Sequence, residues 1–119
     1  NASSGRTMAR LQDLVQTIAL NNKLDESREF AEMVQGGLDQ KLRSVNPQIR
    51  DLGVKQAPFV VLIGADMPSV LAEVSFLSNR AEALLLKQDD YRQRIAQALF
   101  EAVLRYQRTL KNIQVASQP

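Results

Sequence analysis

Within the apolar run Val70–Leu77 a single acidic residue, Glu73, interrupts the hydrophobic side chains. An extended chain alternates its side chains between two faces, so Glu73 shares one with Leu71 and Ser75. A carboxylate in apolar surroundings is costly to ionise unless it is paired, coordinated or protonated. Such a group suits a general base that takes a proton from water. Two other roles fit the same residue: an ion pair with a Lys or Arg, or a strand end where the carboxylate reaches water.

Other chemistries lack their residues. The chain has no His, so Ser69, Ser75 and Ser78 have no imidazole to activate them as nucleophiles and are read as caps or strand residues. It has no Cys, which removes thiolate zinc sites and disulfides. Gly64 follows an apolar run, but no glycine-rich phosphate loop accompanies it. Asp13, Asp25, Glu26 and Glu29 lie on helical faces with no nitrogen donor beside them. Tyr91 and Tyr106 fall on the apolar side of a helix and are read as core.

The 119 residues, 45% hydrophobic and 24% charged, are those of one soluble globular domain with a modest, mostly aliphatic core. Fifteen Lys and Arg against thirteen Asp and Glu give a net charge of +2. Arg92, Arg94, Arg105, Arg108 and Lys111 gather late, but acidic neighbours and helical spacing spread them, which does not favour nucleic acid as a partner. No apolar run approaches the ~18 residues of a membrane span, and the first residues show no export signal. The absence of a starting Met leads us to expect that an upstream segment was removed.

The elements that must position Glu73 follow from periodicity. Met8, Leu11, Leu14, Val15 and Ile18 recur at helical spacing, and Asn21–Asn22 are read as a stop. A second helix, capped by Asp25 or Ser27, turns Phe30, Val34, Leu38, Leu42 and Val45 inward, with a kink or a close neighbour at Gly36–Gly37; Asn46–Pro47 ends it. Phe59–Ile63 reads as a strand covered on both faces, and Val70–Phe76 as a second one antiparallel to it. Asn79 and Glu82 have the spacing of a capping box for a short helix over 81–86. Tyr91, Ile95, Leu99, Ala102, Tyr106 and Leu110 mark the longest helix, after which 112–119 reads as a frayed tail. Two strands cannot form a covered sheet alone, so further strands are expected from elsewhere.

The ordered segments Gly53–Leu62 and Met67–Asn79, followed by Glu82–Leu86 and Tyr91–Ala96, resemble the C-terminal half of the zinc-dependent N-acetylmuramoyl-L-alanine amidases that cleave peptidoglycan. The resemblance runs from about Leu24 to Leu110. It implies an α/β fold, a mixed sheet with flanking helices, of which this chain supplies about two strands and three to four helices. It divides the chain into a core over 24–111, a helical segment over 1–23 and a tail over 112–119, all within one catalytic domain.

By position in the motif, the resemblance makes Glu73 the catalytic acid/base in hydrolysis of the amide between N-acetylmuramic acid and L-alanine. The implied cofactor is zinc, which family members hold with two His and one Glu upstream of the matched region. This chain has no His, so no metal ligand is carried over, and the fragment alone is expected to be inactive. Implied partners are peptidoglycan, the N-terminal half of the same protein, and an activator acting on residues 1–23. Within that segment, residues 1 to about 20 resemble in position, and Asp13–Ile18 in sequence, an inserted helix that covers the active site in division-associated amidases; the alternative is a structural helix packed on the domain. The implied location is periplasmic or extracellular, in the cell envelope. The competing reading is a non-catalytic binding or regulatory module on an amidase scaffold.

Overall fold

The computed structural model describes the backbone of residues 2–116 and the side chains of residues 4–116. Three α-helices dominate: α1 (Ala2–Leu42), α2 (Arg80–Leu86) and α3 (Asp89–Ala116). A single 3-10 turn, Val60–Leu62, interrupts the long connection between α1 and α2.

The first 46 residues contain no proline, and the weak helix formers Asn21 and Asn22 each cost at most about 0.7 kcal/mol relative to Ala. That cost does not stop a helix with good formers on both sides. The stop expected at Asn21–Asn22 is therefore absent, and α1 runs through as one helix of 41 residues. At 1.5 Å per residue it is about 60 Å long, close to the longest dimension of the molecule, 67 Å.

Only the second half of α1 is packed. Val34, Leu38 and Leu42, each four residues from the next, meet Tyr91, Ile95, Ala98 and Ala102 of α3. Leu42 is the most deeply buried large side chain, 1% exposed. The helices come close at Gly37, where an added Cβ would stand 3.5 Å from the Ala98 carbonyl oxygen. Beyond the core, Asn46 is buried and its amide Nδ2 donates to the Tyr91 hydroxyl at 3.3 Å. This bond joins the end of α1 to the start of α3.

α2 begins as its sequence dictates. The Asn79 side chain accepts from the Glu82 N–H at 3.2 Å, while Glu82 Oε2 accepts from the Phe76 N–H at 2.8 Å. The second bond reaches three residues further back than a standard capping box does. Of the apolar positions expected along α3, Tyr91, Ile95, Ala102 and Tyr106 are buried and Leu99 is partly buried, whereas Leu110 is exposed; Ala98 is buried in addition. It also continues through the segment read as tail, as far as Ala116, and residues 117–119 lie outside the described part.

The expected mixed sheet is not formed: no strand occurs among the described residues. Phe59–Ile63 was to be a buried strand, but its centre closes local bonds instead, Leu62 N–H to Phe59 O at 3.0 Å and Ile63 N–H to Val60 O at 3.2 Å. Val60 and Val61 are 85% and 74% exposed. A strand needs a neighbour for its backbone groups on at least one edge, and two short segments without further strands gain too little to pair. The apolar composition of a buried strand is present; the surface that would bury it is not among these residues.

Candidate functional site

The segment carrying Glu73 crosses the packed end of the molecule as an irregular but firmly held stretch. Val70, Ala72 and Val74 pack against the core, whereas Leu71 and Glu73 are exposed. This is the alternation expected of an extended chain, and it places Glu73 on the outer side of the face it shares with Leu71. The apolar surroundings expected for Glu73 are absent in this chain, because its side chain faces solvent and no hydrogen bond or ion pair to it occurs among the described residues.

Both ends of this stretch are tied by side chains from distant or following elements. Before it, the Ser69 N–H donates to Ser27 Oγ of α1 at 3.0 Å, and Lys23 Nζ, one helical turn earlier, donates to the Asp66 carbonyl. After it, the Phe76 N–H donates to Glu82 Oε2. Further along the same connection, Arg28 Nη2 donates to Gln56 Oε1 at 3.5 Å and Gln35 Nε2 to Asp51 Oδ1 at 2.6 Å. Asp51 Oδ1 also accepts from the Gly53 N–H at 2.8 Å. Gly53 has φ +80°, a backbone conformation that glycine adopts without strain.

Sequence reasoning gave Ser27 a capping role at a helix start, and the continuous α1 removes that role. Its hydroxyl instead serves as acceptor for a backbone amide 42 positions away. The i, i+4 spacing of Lys23 and Ser27 was the available signal, since it puts both on one side of a helix. Of the remaining serines, Ser75 turns its hydroxyl to the Val74 carbonyl at 2.6 Å, and Ser78 is exposed.

The acidic residues of α1 do not converge. Among the described residues, no group of three or more His, Cys, Asp or Glu side chains is placed to hold a metal ion. Together with the lack of any imidazole or thiolate, this means that the residues present do not fit a catalytic zinc ion. Glu26 and Glu29 instead face Tyr106, whose phenol has its pKa raised first by burial and then by these two carboxylates.

The first half of α1 stands apart from this site. Met8, Leu11, Leu14, Val15 and Ile18 are all at least half exposed. The expectation that a structural helix packs this stripe on the domain is therefore not met. A shallow open depression lies along it, lined by Met8, Leu11, Gln12, Val15 and Gln16, and not by Glu73. No described helix is long and apolar enough to cross a membrane.

Comparison with known proteins places these features. The N-acetylmuramoyl-L-alanine amidase family profile matches residues 8–105, a span that includes Ser27, Glu73 and Glu82. The chain is 39% identical over 82 residues to the N-acetylmuramoyl-L-alanine amidase LytC of Bacillus subtilis, covering 69% of this chain and 16% of that protein. It is 36% identical over 96 residues to the amidase AmiA of Escherichia coli, covering 81% of this chain and 30% of the relative. The amidase AmiC of Neisseria meningitidis gives 36% identity over 96 residues, 81% of this chain and 21% of the relative. In these three comparisons the chain spans less than a third of the relative's length. No solved structure matches significantly. Since the profile covers most of the chain, including the pinned stretch around Glu73, the chain belongs to the N-acetylmuramoyl-L-alanine amidase family.

Proposed function

We propose that this chain is the part of a peptidoglycan amidase that supplies the general base, Glu73, for hydrolysis of the amide joining N-acetylmuramic acid to L-alanine. The observation that supports the reading is the placement of Glu73: its neighbours Val70, Ala72 and Val74, partly buried, pack against the core and leave its carboxylate exposed. In this reading Glu73 accepts a proton from the attacking water and gives it to the leaving nitrogen of L-alanine. Zinc is the proposed cofactor, with ligands from outside these residues. The rest of the catalytic domain would cover the exposed apolar surface of Val60 and Val61 and give Glu73 the enclosed setting it lacks here.

The test is Glu73→Gln in the amidase domain that contains this chain, assayed by release of stem peptide from purified peptidoglycan. Loss of at least about a thousandfold in rate with an unchanged circular dichroism spectrum is expected for removal of a general base. Retention of more than a tenth of the activity would dismiss the assignment.

The exposed stripe of α1 supports a second element of the proposal: residues 1–23 form a regulatory arm, released by an activator protein during cell-wall remodelling and separation of daughter cells in the periplasm or outer envelope. Deleting residues 1–20 from the same domain is expected to raise basal hydrolysis without lowering the melting temperature. An unchanged rate would reject the regulatory role.

A competing reading is favoured by one observation, the misfit of these residues to zinc. A non-catalytic module that binds peptidoglycan would keep the scaffold without the metal. Binding of the intact protein to peptidoglycan sacculi, with no peptide release and no zinc retained on dialysis, would establish that reading instead.

A further inference from the structure

Glu73 sits midway along an arc whose two ends are each fixed by one side-chain acceptor on a backbone amide. The first tie is Ser27 Oγ to the Ser69 N–H at 3.0 Å, four residues before Glu73, and it is partly buried. The second is Glu82 Oε2 to the Phe76 N–H at 2.8 Å, three residues after it. Between these ties the backbone has no ladder partner among the described residues. The inward side chains Val70, Ala72 and Val74 fix which face Glu73 takes, but apolar contact is non-directional and tolerates sliding along the chain. Directional bonds at the two ends set the register.

We infer that Ser27 and Glu82 are positioning residues for Glu73, holding its arc at fixed register on the α1–α3 core. The inference rests on the reading of Glu73 as the general base. Ser27 is suited to the task because it lies on the packed side of α1, with its neighbour Lys23 one turn away holding the Asp66 carbonyl. Its oxygen is a short, stiff acceptor on a helix that is itself anchored by Val34, Leu38 and Leu42. Glu82 is tied in turn by its own N–H to Asn79 Oδ1. A general base displaced by a fraction of an ångström loses alignment with water and substrate, and the loss falls on the rate of the chemical step rather than on ground-state binding.

The experiment compares Ser27→Ala, Ser27→Thr, Glu82→Ala, Glu82→Gln and Glu73→Gln in the intact amidase domain, with kcat and KM measured on a soluble muropeptide. Ser27→Ala and Glu82→Ala are each expected to lower kcat about five- to tenfold, the size of one net hydrogen bond, with KM within about twofold. Ser27→Thr and Glu82→Gln, which keep an acceptor oxygen, should recover most of kcat. In parallel, hydrogen exchange on the 119-residue chain should show the Ser69 amide exchanging about five- to tenfold faster in Ser27→Ala, with amides of α3 unchanged. The inference is overturned if Ser27→Ala leaves kcat unaltered, if Thr and Ala at 27 depress kcat equally, or if the Ser69 amide is unaffected. Glu73→Gln separates the two claims: activity that survives it removes the general base itself, whereas its loss beside an indifferent Ser27→Ala leaves the base in place and removes only the positioning role. Should Ser27→Ala fail to fold in the intact domain, the exchange measurement on Glu82→Ala, read at Phe76, decides the same question.

Discussion

The ring of Tyr106 on α3 stacks on that of Phe30 on α1, with centroids 5.0 Å apart and planes 27° from parallel. This contact closes the core at the point where α1 leaves it. The arrangement buries the Tyr106 hydroxyl without a hydrogen-bond partner among the described residues. A buried polar group left unpaired costs about 1–3 kcal/mol, so Tyr106→Phe, which keeps the ring and removes the oxygen, should stabilise the chain by about 1 kcal/mol. Urea unfolding of the two proteins at neutral pH measures it.

The same residue gives an alkaline signature. The folded phenol has a pKa above that of the unfolded chain, because burial and then Glu26 and Glu29 disfavour its anion. A raised pKa means that the folded state binds the proton more tightly, so its contribution is complete below the unfolded value of about 10 and is lost as pH rises through the folded one. Wild-type stability should therefore fall above about pH 10 more steeply than that of Tyr106→Phe. Parallel melting curves between neutral and strongly alkaline pH test the difference.

Leu42→Ala should be the most damaging of the simple core truncations. Leu42 is 1% exposed, at the last turn of α1, in a cluster shared with α3. Removing a fully buried leucine costs about 2–5 kcal/mol, the upper part of the range applying where neighbours cannot close the gap. In a core this small that loss should lower the thermal midpoint by well over ten degrees, measurable by circular dichroism.

Gly36→Ala should act in the opposite direction. Gly36 lies inside α1 with no heavy atom within 4 Å of the place a Cβ would occupy. Alanine there gains about 1 kcal/mol in helix propensity without a clash. Gly37→Ala, whose methyl group would meet the Ala98 carbonyl at 3.5 Å, an ordinary van der Waals distance, is expected to gain at least as much. Paired denaturation curves rank the two.

Lys41 of α1 and Glu101 of α3 form an ion pair at 3.3 Å. The Glu101 carboxyl is held below its usual range, first by the Gln97 side-chain amide at 3.0 Å and then by Lys41. A depressed carboxylate pKa stabilises the fold above the unfolded value, and that contribution disappears as pH falls through the folded one. Carbon-detected NMR titration should show Glu101 ionising at lower pH than in Lys41→Met, and added salt should narrow the gap.

What the sequence disclosed, and what it did not, divides by the range of the forces involved. Most local signals held: the Asn79–Glu82 cap, the register of Tyr91, Ile95, Ala102 and Tyr106 along α3, and Val34, Leu38 and Leu42 of the inward set match the structure, whereas Val45, beyond the end of α1, and Leu110 are exposed. The expected break at Asn21–Asn22 did not, because two weak helix formers without a proline cannot outweigh a favourable flank on either side. Phe59–Ile63 has a strand's composition but no sheet, since pairing depends on backbone supplied from a distance. Glu73 was legible as the odd carboxylate of an apolar run and its alternation survives, yet its apolar enclosure was inferred from a sheet that is not formed here. The ties at Ser27 and Glu82 were the least legible, since a hydroxyl or carboxylate gives no hint in one dimension of which distant amide it will meet.

The bare half of α1 has a consequence for how this protein changes over generations. Residues that hold up a core are policed by folding itself, because most replacements there cost stability that the whole molecule feels. Met8, Leu11, Val15 and Ile18 stand outside that jurisdiction, with half or more of each side chain uncovered. Variation in this half of α1 escapes the filter that governs Leu42 or Tyr91, so it can change with little effect on the α1–α3 core.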